Sequence, residues 1–285
     1  MSGNFITRAL LLGLWCLQAG AEGNFSLDNT AIRQGEVLRV RGPADAVAAR
    51  MNSRTVPLYK QVDGAAFGLM PVPVLTTPGA YRLEWLDAQG SVLHSQAVVV
   101  RNAHYPRQNI VLSRALANLK STPEERSAVS AFLNGRSATR YWREPLEPPL
   151  AGCITSMFGV TRLHNGKLTG DYHAGVDQRG GAGTPIHAIA AGEVKIAQQF
   201  ELRGGTVAID HGQGLQSIYL HMSKVASRPA QRVAAGDVIG YVGSTGRSTG
   251  PHLHWTLYVQ GEPVNPLQWV RLKPCASPVK AKKKT

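Results

Sequence analysis

Residues 252–259 read HLHWTLYV, and this alternation decides how the C-terminal part of the chain folds. In a β-strand, residues two apart point to the same side. His252 and His254 therefore share one face, while Leu253, Trp255 and the apolar residues after them share the other. The pattern predicts a strand that is buried on one side and presents two imidazoles on the other.

Two upstream motifs contain further side chains that can bind a metal ion together with these imidazoles. His173-Ala-Gly-Val-Asp177 brings a histidine and a carboxylate together, and His221 ends an apolar run. A catalytic zinc ion takes three imidazole or carboxylate ligands and keeps one position open for water. His173 and Asp177 can supply two ligands and His254 a third, although each histidine taken singly also suits an ordinary core or turn position.

Together these motifs resemble those of the lysostaphin-type (LytM-like) zinc metallopeptidases, which cleave peptides in peptidoglycan. The resemblance covers roughly residues 152–269. It also includes Ser156-x-Phe-Gly159, Gly183-Thr-Pro185 and the glycine-rich segment 243–252. Every motif position is filled, whereas degenerate members of the family have lost ligands and act as activators.

The resemblance implies one Zn²⁺ per chain, bound by His173, Asp177 and His254, with His221 and His252 as the catalytic histidines. Zinc would polarise the scissile carbonyl and lower the pKa of its bound water. The two histidines would take a proton from that water and deliver one to the leaving amine, since imidazole titrates near neutral pH. Which of them is the base stays open. The chain has no His-Glu-x-x-His motif to indicate a glutamate base.

The other histidines have no motif partner. His211 lies in Asp-His-Gly-Gln-Gly, which predicts a turn between two strands. We expect His187 to lie in a strand without a site role, and His94 and His104 to have none. His164 begins a His-Asn-Gly-Lys loop that can line a substrate groove.

The N-terminus predicts export. Residues 1–21 are typical of a cleaved signal peptide, with Arg8 before an apolar run and Ala19-Gly-Ala21 at its end. The apolar run is too short for an ordinary transmembrane helix, and no later stretch is long and apolar enough. Cys16 lacks the small residues that precede a lipidated cysteine. We therefore expect a periplasmic or exported protein with no transmembrane segment after cleavage.

After cleavage two cysteines remain, Cys153 and Cys275, which bracket the region of resemblance. An even number of cysteines in an oxidising compartment favours a disulfide over two free thiols.

The chain is strongly basic, with a formal net charge of +13. Such a surface suits anionic lipid or the cell wall, and an exported protein with no recognition motif is a poor candidate for nucleic acid. Residues 273–285 end in a run of lysines, which predicts a basic disordered tail.

The remaining segments predict a mainly β protein. Residues 22–103 show short alternating strands between turns, as in residues 81–85, and resemble an immunoglobulin-like β-sandwich. Residues 104–150 form a helical linker, in which Thr122 and Glu125 predict a capping box and Asn134-Gly135 ends the helix. By resemblance, residues 151–272 are expected to form the LytM-like zinc peptidase domain, built from antiparallel β-strands.

The sequence therefore indicates an exported zinc metalloendopeptidase that acts on peptidoglycan cross-links or stems. By analogy with enzymes of two-membrane bacteria, D,D-endopeptidase activity on diaminopimelate-type walls is favoured. The alternative is a non-cleaving LytM-like activator or wall-binding scaffold for other hydrolases. A lysin against other species would normally carry a wall-targeting domain, which we do not find. We also expect a regulatory protein as a partner, because such hydrolases need restraint.

Overall fold

The computed structural model describes residues 24–276. The predicted signal peptide 1–21 lies outside the described residues, as does most of the predicted basic tail. No helix in the described part of the chain has the length and apolar character needed to cross a bilayer.

The N-terminal part of the described chain is a two-sheet β-sandwich. Its strands are β1 (Ser26–Leu27), β2 (Ala31–Arg33), β3 (Val37–Gly42), β4 (Ala48–Met51), β5 (Arg54–Pro57), β6 (Tyr59–Lys60), β7 (Ala66–Pro71), β8 (Gly79–Leu86) and β9 (Val92–Arg101). One sheet has the order β1-β3-β7-β6 and the other β2-β9-β8-β4-β5. Trp85 is fully buried in the core, and its indole N–H donates to the Arg41 carbonyl. This is the sandwich that the alternating pattern predicts.

The connecting segment contains β10 (Arg107–Ile110), α1 (Arg114–Asn118) and α2 (Pro123–Asn134). The Thr122 hydroxyl caps α2 by accepting the Glu125 N–H at 3.1 Å, as predicted. The reciprocal half of the capping box is wrong, because the Glu125 carboxylate turns inward to Arg203 and the Leu202 N–H. Val129 and Phe132 pack the helix onto the C-terminal sheet.

The C-terminal part is built from many short strands. They are β11 (Ile154–Ser156), β12 (Thr161–His164), β13 (Lys167–Tyr172), β14 (Val176–Gln178), β15 (Pro185–His187), β16 (Gly192–Phe200), β17 (Gly204–Gly212), β18 (Leu215–Met222), β19 (Lys224–Val225), β20 (Arg232–Val233), β21 (Val238–Tyr241), β22 (Leu253–Val259) and β23 (Glu262–Val264), followed by a 3₁₀ turn at Pro266–Gln268. The large sheet runs β11-β14-β22-β18-β17-β16-β20, and β23 pairs with β22. All of its pairings are antiparallel, as predicted.

Two smaller sheets flank the large one. They have the orders β15-β21-β19 and β10-β12-β13. Strand β10, which the sequence does not predict, joins β12 in parallel, so the connecting segment completes a sheet of the C-terminal part.

Strand β22 lies inside the large sheet, between β14 and β18, and positions the site residues. Its inward residues Leu253, Trp255, Leu257 and Val259 are fully buried, as the alternation predicts. His254 lies opposite Asp177 of β14 on one side and Leu220 of β18 on the other. His252 lies one residue before the strand and bridges Gly243. This register brings three distant motifs to one face of the sheet.

The N-terminal sandwich packs directly on the C-terminal part. Val37 and Leu69 belong to the same apolar cluster as Trp142 and Trp269. The Gln268 side chain pairs with the backbone N–H and carbonyl of Val37 at 2.8 and 2.7 Å.

A disulfide joins Cys153, just before β11, to Cys275 near the end of the described chain, which confirms the predicted pairing.

Candidate active site

The three expected metal ligands converge at one point on the face of the large sheet. His173 Nε2 lies 3.1 Å from Asp177 Oδ1 and 3.0 Å from His254 Nδ1. His254 Nδ1 lies 2.8 Å from the same carboxylate oxygen. The three ligand atoms lie within 4.8 Å of one another. A zinc ion with bonds of about 2.0–2.2 Å can reach all three.

Hydrogen bonds on the far side of each imidazole orient the ligand atoms. His173 Nδ1 lies 2.8 Å from the Met157 carbonyl, so it carries the proton and leaves the Nε2 lone pair facing the centre. His254 Nε2 lies 3.2 Å from the Thr256 hydroxyl, so Nδ1 faces the centre. Such outer partners select the tautomer that binds metal. The donor set therefore fits a single zinc ion.

Asp177 is the charged member of the set. Burial alone would raise the pKa of its carboxyl, but hydrogen bonds with His173 and His254 hold that pKa well below its usual value. Arg162 Nη2 lies 3.2 Å from Asp177 Oδ2, so the second oxygen is also engaged. Burial lowers the pKa of His254 to about 3. The site thus presents an ionised carboxylate and a neutral imidazole, which are the protonation states that metal binding requires.

His221 reaches the site through a local break in β18. The register of β17 and β18 shifts next to it, and its φ is +62°. A non-glycine residue in the left-handed region is uncommon, and a β-bulge of this kind re-aims a side chain. The ring centroid of His221 lies 5.2 Å from that of His252 and 6.1 Å from that of His254. The backbone strain therefore accompanies a side chain that is directed to the metal-ligand cluster.

Both candidate catalytic histidines leave Nε2 free. His221 Nδ1 donates to the Thr245 carbonyl at 2.8 Å, and His252 Nδ1 donates to the Gly250 carbonyl at 2.7 Å. His252 Nε2 lies 3.8 Å from Asp177 Oδ1. Burial, followed by the neighbouring His252, lowers the pKa of His221 to about 4, so that imidazole is neutral at pH 7. A neutral Nε2 is a proton acceptor.

These groups open into a cleft of about 630 Å³. Sequence reasoning did not single out the cationic residues of its wall, Arg162, Arg203 and Arg247. Arg247 lies inside the glycine-rich segment 243–252, so its place between two glycine-rich turns is the signal that could have identified it. His164 also lines the cleft, as the loop prediction allows.

A residue from the connecting segment supports His173. The Ser156 hydroxyl lies 3.2 Å from His173 Nδ1 and donates to Gln108 Oε1 of strand β10 at 2.8 Å. The support of one expected metal ligand therefore extends to a residue 65 positions earlier in the chain.

His211 is not a turn residue, which corrects the sequence prediction. It lies fully buried in β17, where Nδ1 donates to the Ala191 carbonyl and Nε2 accepts from the Ser217 hydroxyl. Ser217 also contacts the Tyr219 hydroxyl, which accepts the Ile189 N–H. Burial lowers the pKa of His211 to about 4. Its role is structural, and it lies outside the cleft.

The fold and the cleft define a β-sheet metallopeptidase-type domain with two histidines and one aspartate around a metal position. Residues 171–266 match the model of Peptidase family M23, so the chain contains an M23 peptidase domain.

Two curated relatives are named as DD-endopeptidases. The chain is 41% identical over 122 residues to a DD-carboxypeptidase/endopeptidase, Mpg, of Neisseria meningitidis, covering 43% of this chain and 28% of that protein. It is 34% identical over 182 residues to the peptidoglycan DD-endopeptidase ShyA of Vibrio cholerae, covering 57% of this chain and 42% of the relative. The chain thus spans less than half the length of these curated relatives.

A crystal structure of a candidate M23 peptidase from Pseudomonas aeruginosa shares the wider architecture. It superposes with a TM-score of 0.59 at 28% identity and covers 78% of this chain and 86% of its own. The likeness therefore extends beyond the segment that the family model matches.

Proposed function

We propose that this chain is a zinc-dependent endopeptidase that hydrolyses peptide bonds in peptidoglycan. The observation that carries the proposal is the convergence of His173 Nε2, Asp177 Oδ1 and His254 Nδ1, each oriented with a lone pair toward one point. The names of the relatives support peptidoglycan as the substrate and partner. A complete ligand set argues against the alternative of a non-cleaving activator or scaffold.

The roles follow from the hydrogen bonds already described. When bound by His173, Asp177 and His254, zinc supplies Lewis-acid polarisation of the scissile carbonyl and promotes ionisation of water. The neutral Nε2 of His221 accepts a proton, and the Thr245 carbonyl holds that ring in place. The His252 ring centroid lies 5.2 Å from that of His221, and when His252 carries a proton on Nε2 as well as on Nδ1 it can deliver the Nε2 proton to the leaving amine. Arg162 keeps the Asp177 carboxylate oriented through its second oxygen.

We further propose that the bond is a D,D cross-link of a diaminopimelate-type wall, and that the protein acts in the periplasm or outside the cell. The relatives named as DD-endopeptidases support the bond. The predicted signal peptide and the Cys153–Cys275 disulfide support the compartment. Binding of a regulatory protein remains a prediction from the sequence.

The test is to incubate purified residues 22–285, loaded with zinc, with cross-linked muropeptides from diaminopimelate-type and glycine-bridged walls. Mass spectrometry of the products identifies the bond that is cut. We expect monomers from the diaminopimelate-type dimers only. Intact dimers of both types, with zinc bound, would contradict the proposed activity.

A metal-ligand variant provides the second test. His173→Ala should remove both stoichiometric zinc and cleavage while the far-UV circular dichroism stays unchanged, because the fold rests on the sheet and its apolar core. The matched control is His104→Asn, an exposed histidine in the left-handed region that asparagine tolerates. Full zinc content in His173→Ala, measured by elemental analysis, would show that the ligand assignment is wrong.

A further inference from the structure

The cleft wall carries three arginines that differ in their partners. Arg162 contacts Asp177 Oδ2 at 3.2 Å. Arg203 Nη1 lies 2.6 Å from the buried carboxylate of Glu125. Arg247 is exposed to the cleft and forms no ion pair with any acidic side chain in residues 24–276. The wall therefore presents one guanidinium whose charge is not matched by the protein.

The backbone holds Arg247 in a defined position. Its N–H donates to the Leu202 carbonyl at 2.8 Å. Gly246 before it has φ +70°, and a Cβ there would lie 2.5 Å from both the Gly204 nitrogen and the Leu202 oxygen. Only glycine allows this close approach of the two loops. The backbone of Arg247 is thus held in place, and its exposed side chain can contact a ligand in the cleft.

Arg247 lies beside the proposed catalytic groups. It lines the same cleft as His221 and His252. Burial, followed by the charge of Arg247, lowers the pKa of His164, which lines the same cleft. A peptide bound with its scissile bond at the metal position would therefore lie in the cleft that Arg247 lines.

We propose that Arg247 binds a free carboxylate of the peptide substrate next to the scissile bond, and so makes the enzyme prefer stem peptides whose diaminopimelate carboxyl is not amidated. This inference rests on the proposed function. A guanidinium stays charged at any working pH and matches a carboxylate with two parallel hydrogen bonds. The unmatched charge, the fixed backbone and the place on the cleft wall together favour an anionic group of the substrate.

The test uses two cross-linked muropeptide dimers that differ only in a carboxylate or a carboxamide on diaminopimelate. The quantity compared is the ratio of their kcat/KM values. We expect the zinc-loaded chain to favour the carboxylate form roughly 10- to 100-fold, the range of a hydrogen bond to a charged group. Arg247→Gln should bring the ratio close to 1, mainly through a higher KM for the carboxylate form. Arg247→Lys should keep part of the preference.

The matched control is Arg228→Gln, an exposed arginine before β20 at the far edge of the large sheet, which should keep the full ratio. Zinc content confirms that each variant is folded and loaded. A ratio near 1 in the unmodified chain, or an unchanged ratio in Arg247→Gln, would overturn this inference and leave the proposed function standing. Cleavage of neither dimer by the unmodified chain would overturn both.

Discussion

Replacing Glu125 by alanine tests how far helix α2 supports the active site. Its carboxylate is fully buried, accepts from Arg203 Nη1 at 2.6 Å and from the Leu202 N–H at 3.1 Å. The carbonyls of the same two residues accept the backbone N–H groups of His221 and Arg247 at 3.0 and 2.8 Å. One carboxylate therefore holds the turn that anchors two residues of the cleft.

The expected loss of stability follows from these contacts. Removing one partner of a buried ion pair costs about 3–5 kcal/mol. The Arg203 side chain is 27% exposed and can regain water, which favours the lower end of that range. The unpaired Leu202 N–H adds to the loss. We expect Glu125→Ala to lower the free energy of unfolding by about 3 kcal/mol. Glu125→Gln should lose roughly half as much, because it keeps an acceptor for the N–H.

The assay is urea unfolding of residues 22–285 with the disulfide intact, followed by tryptophan fluorescence, together with kcat/KM on the muropeptide dimer. Glu124→Ala, at the exposed neighbouring position, is the matched control and should change stability far less. At urea concentrations well below its unfolding midpoint, Glu125→Ala should already show lower turnover than the unmodified chain, since the turn beneath His221 loosens. If Glu125→Ala unfolds at the same urea concentration as Glu124→Ala and keeps full turnover, the supporting role of the helix is refuted.

Three further predictions concern the histidines and the disulfide. His221→Ala and His252→Ala should keep zinc but lose about 10²–10⁴ in kcat; loss of zinc in His252→Ala would mean that His252, not His254, is the ligand. The pKa of His211 is about 4 when folded and near 6.5 when unfolded, so the unfolded state binds the extra proton. The contribution of His211 to stability is therefore complete above pH 6.5 and falls by up to about 3 kcal/mol toward pH 4. A His211→Asn variant with the same pH dependence in urea unfolding would refute this. Reducing the Cys153–Cys275 disulfide, which closes a loop of 122 residues, should cost about 4–5 kcal/mol; thiol labelling of two cysteines per native chain without reductant would show that the bond is absent.

Alternation made the central strand predictable. The register of β22 with β14 then accounts for the meeting of His254 and Asp177, two motifs 77 residues apart. Local sequence patterns can predict the strand and its candidate ligand residues, because strand period and ligand chemistry are properties of short segments.

Features that depend on distant contacts were missed. His211 lies in a glycine-rich stretch typical of a turn, yet its ring is held by Ala191 and Ser217 from neighbouring segments. Glu125 has the capping-box spacing, but an arginine 78 residues away binds its carboxylate instead. Residues 107–110, Arg-Gln-Asn-Ile, show no alternation because β10 is half exposed and is held by its parallel partner. In each case tertiary contacts override the local pattern.

The parallel pairing of β10 with β12 makes the M23 domain less modular than its motifs suggest. A fragment that starts at residue 151 would keep every motif but leave the backbone N–H and C=O groups of β12 unpaired along one edge. Such an edge is a template for the strand of another chain. Excision would also remove Gln108 from the hydrogen bonds behind His173. Domain exchange among relatives should therefore carry residues 107–110 with the peptidase, so that the edge stays covered and the fragment stays monomeric.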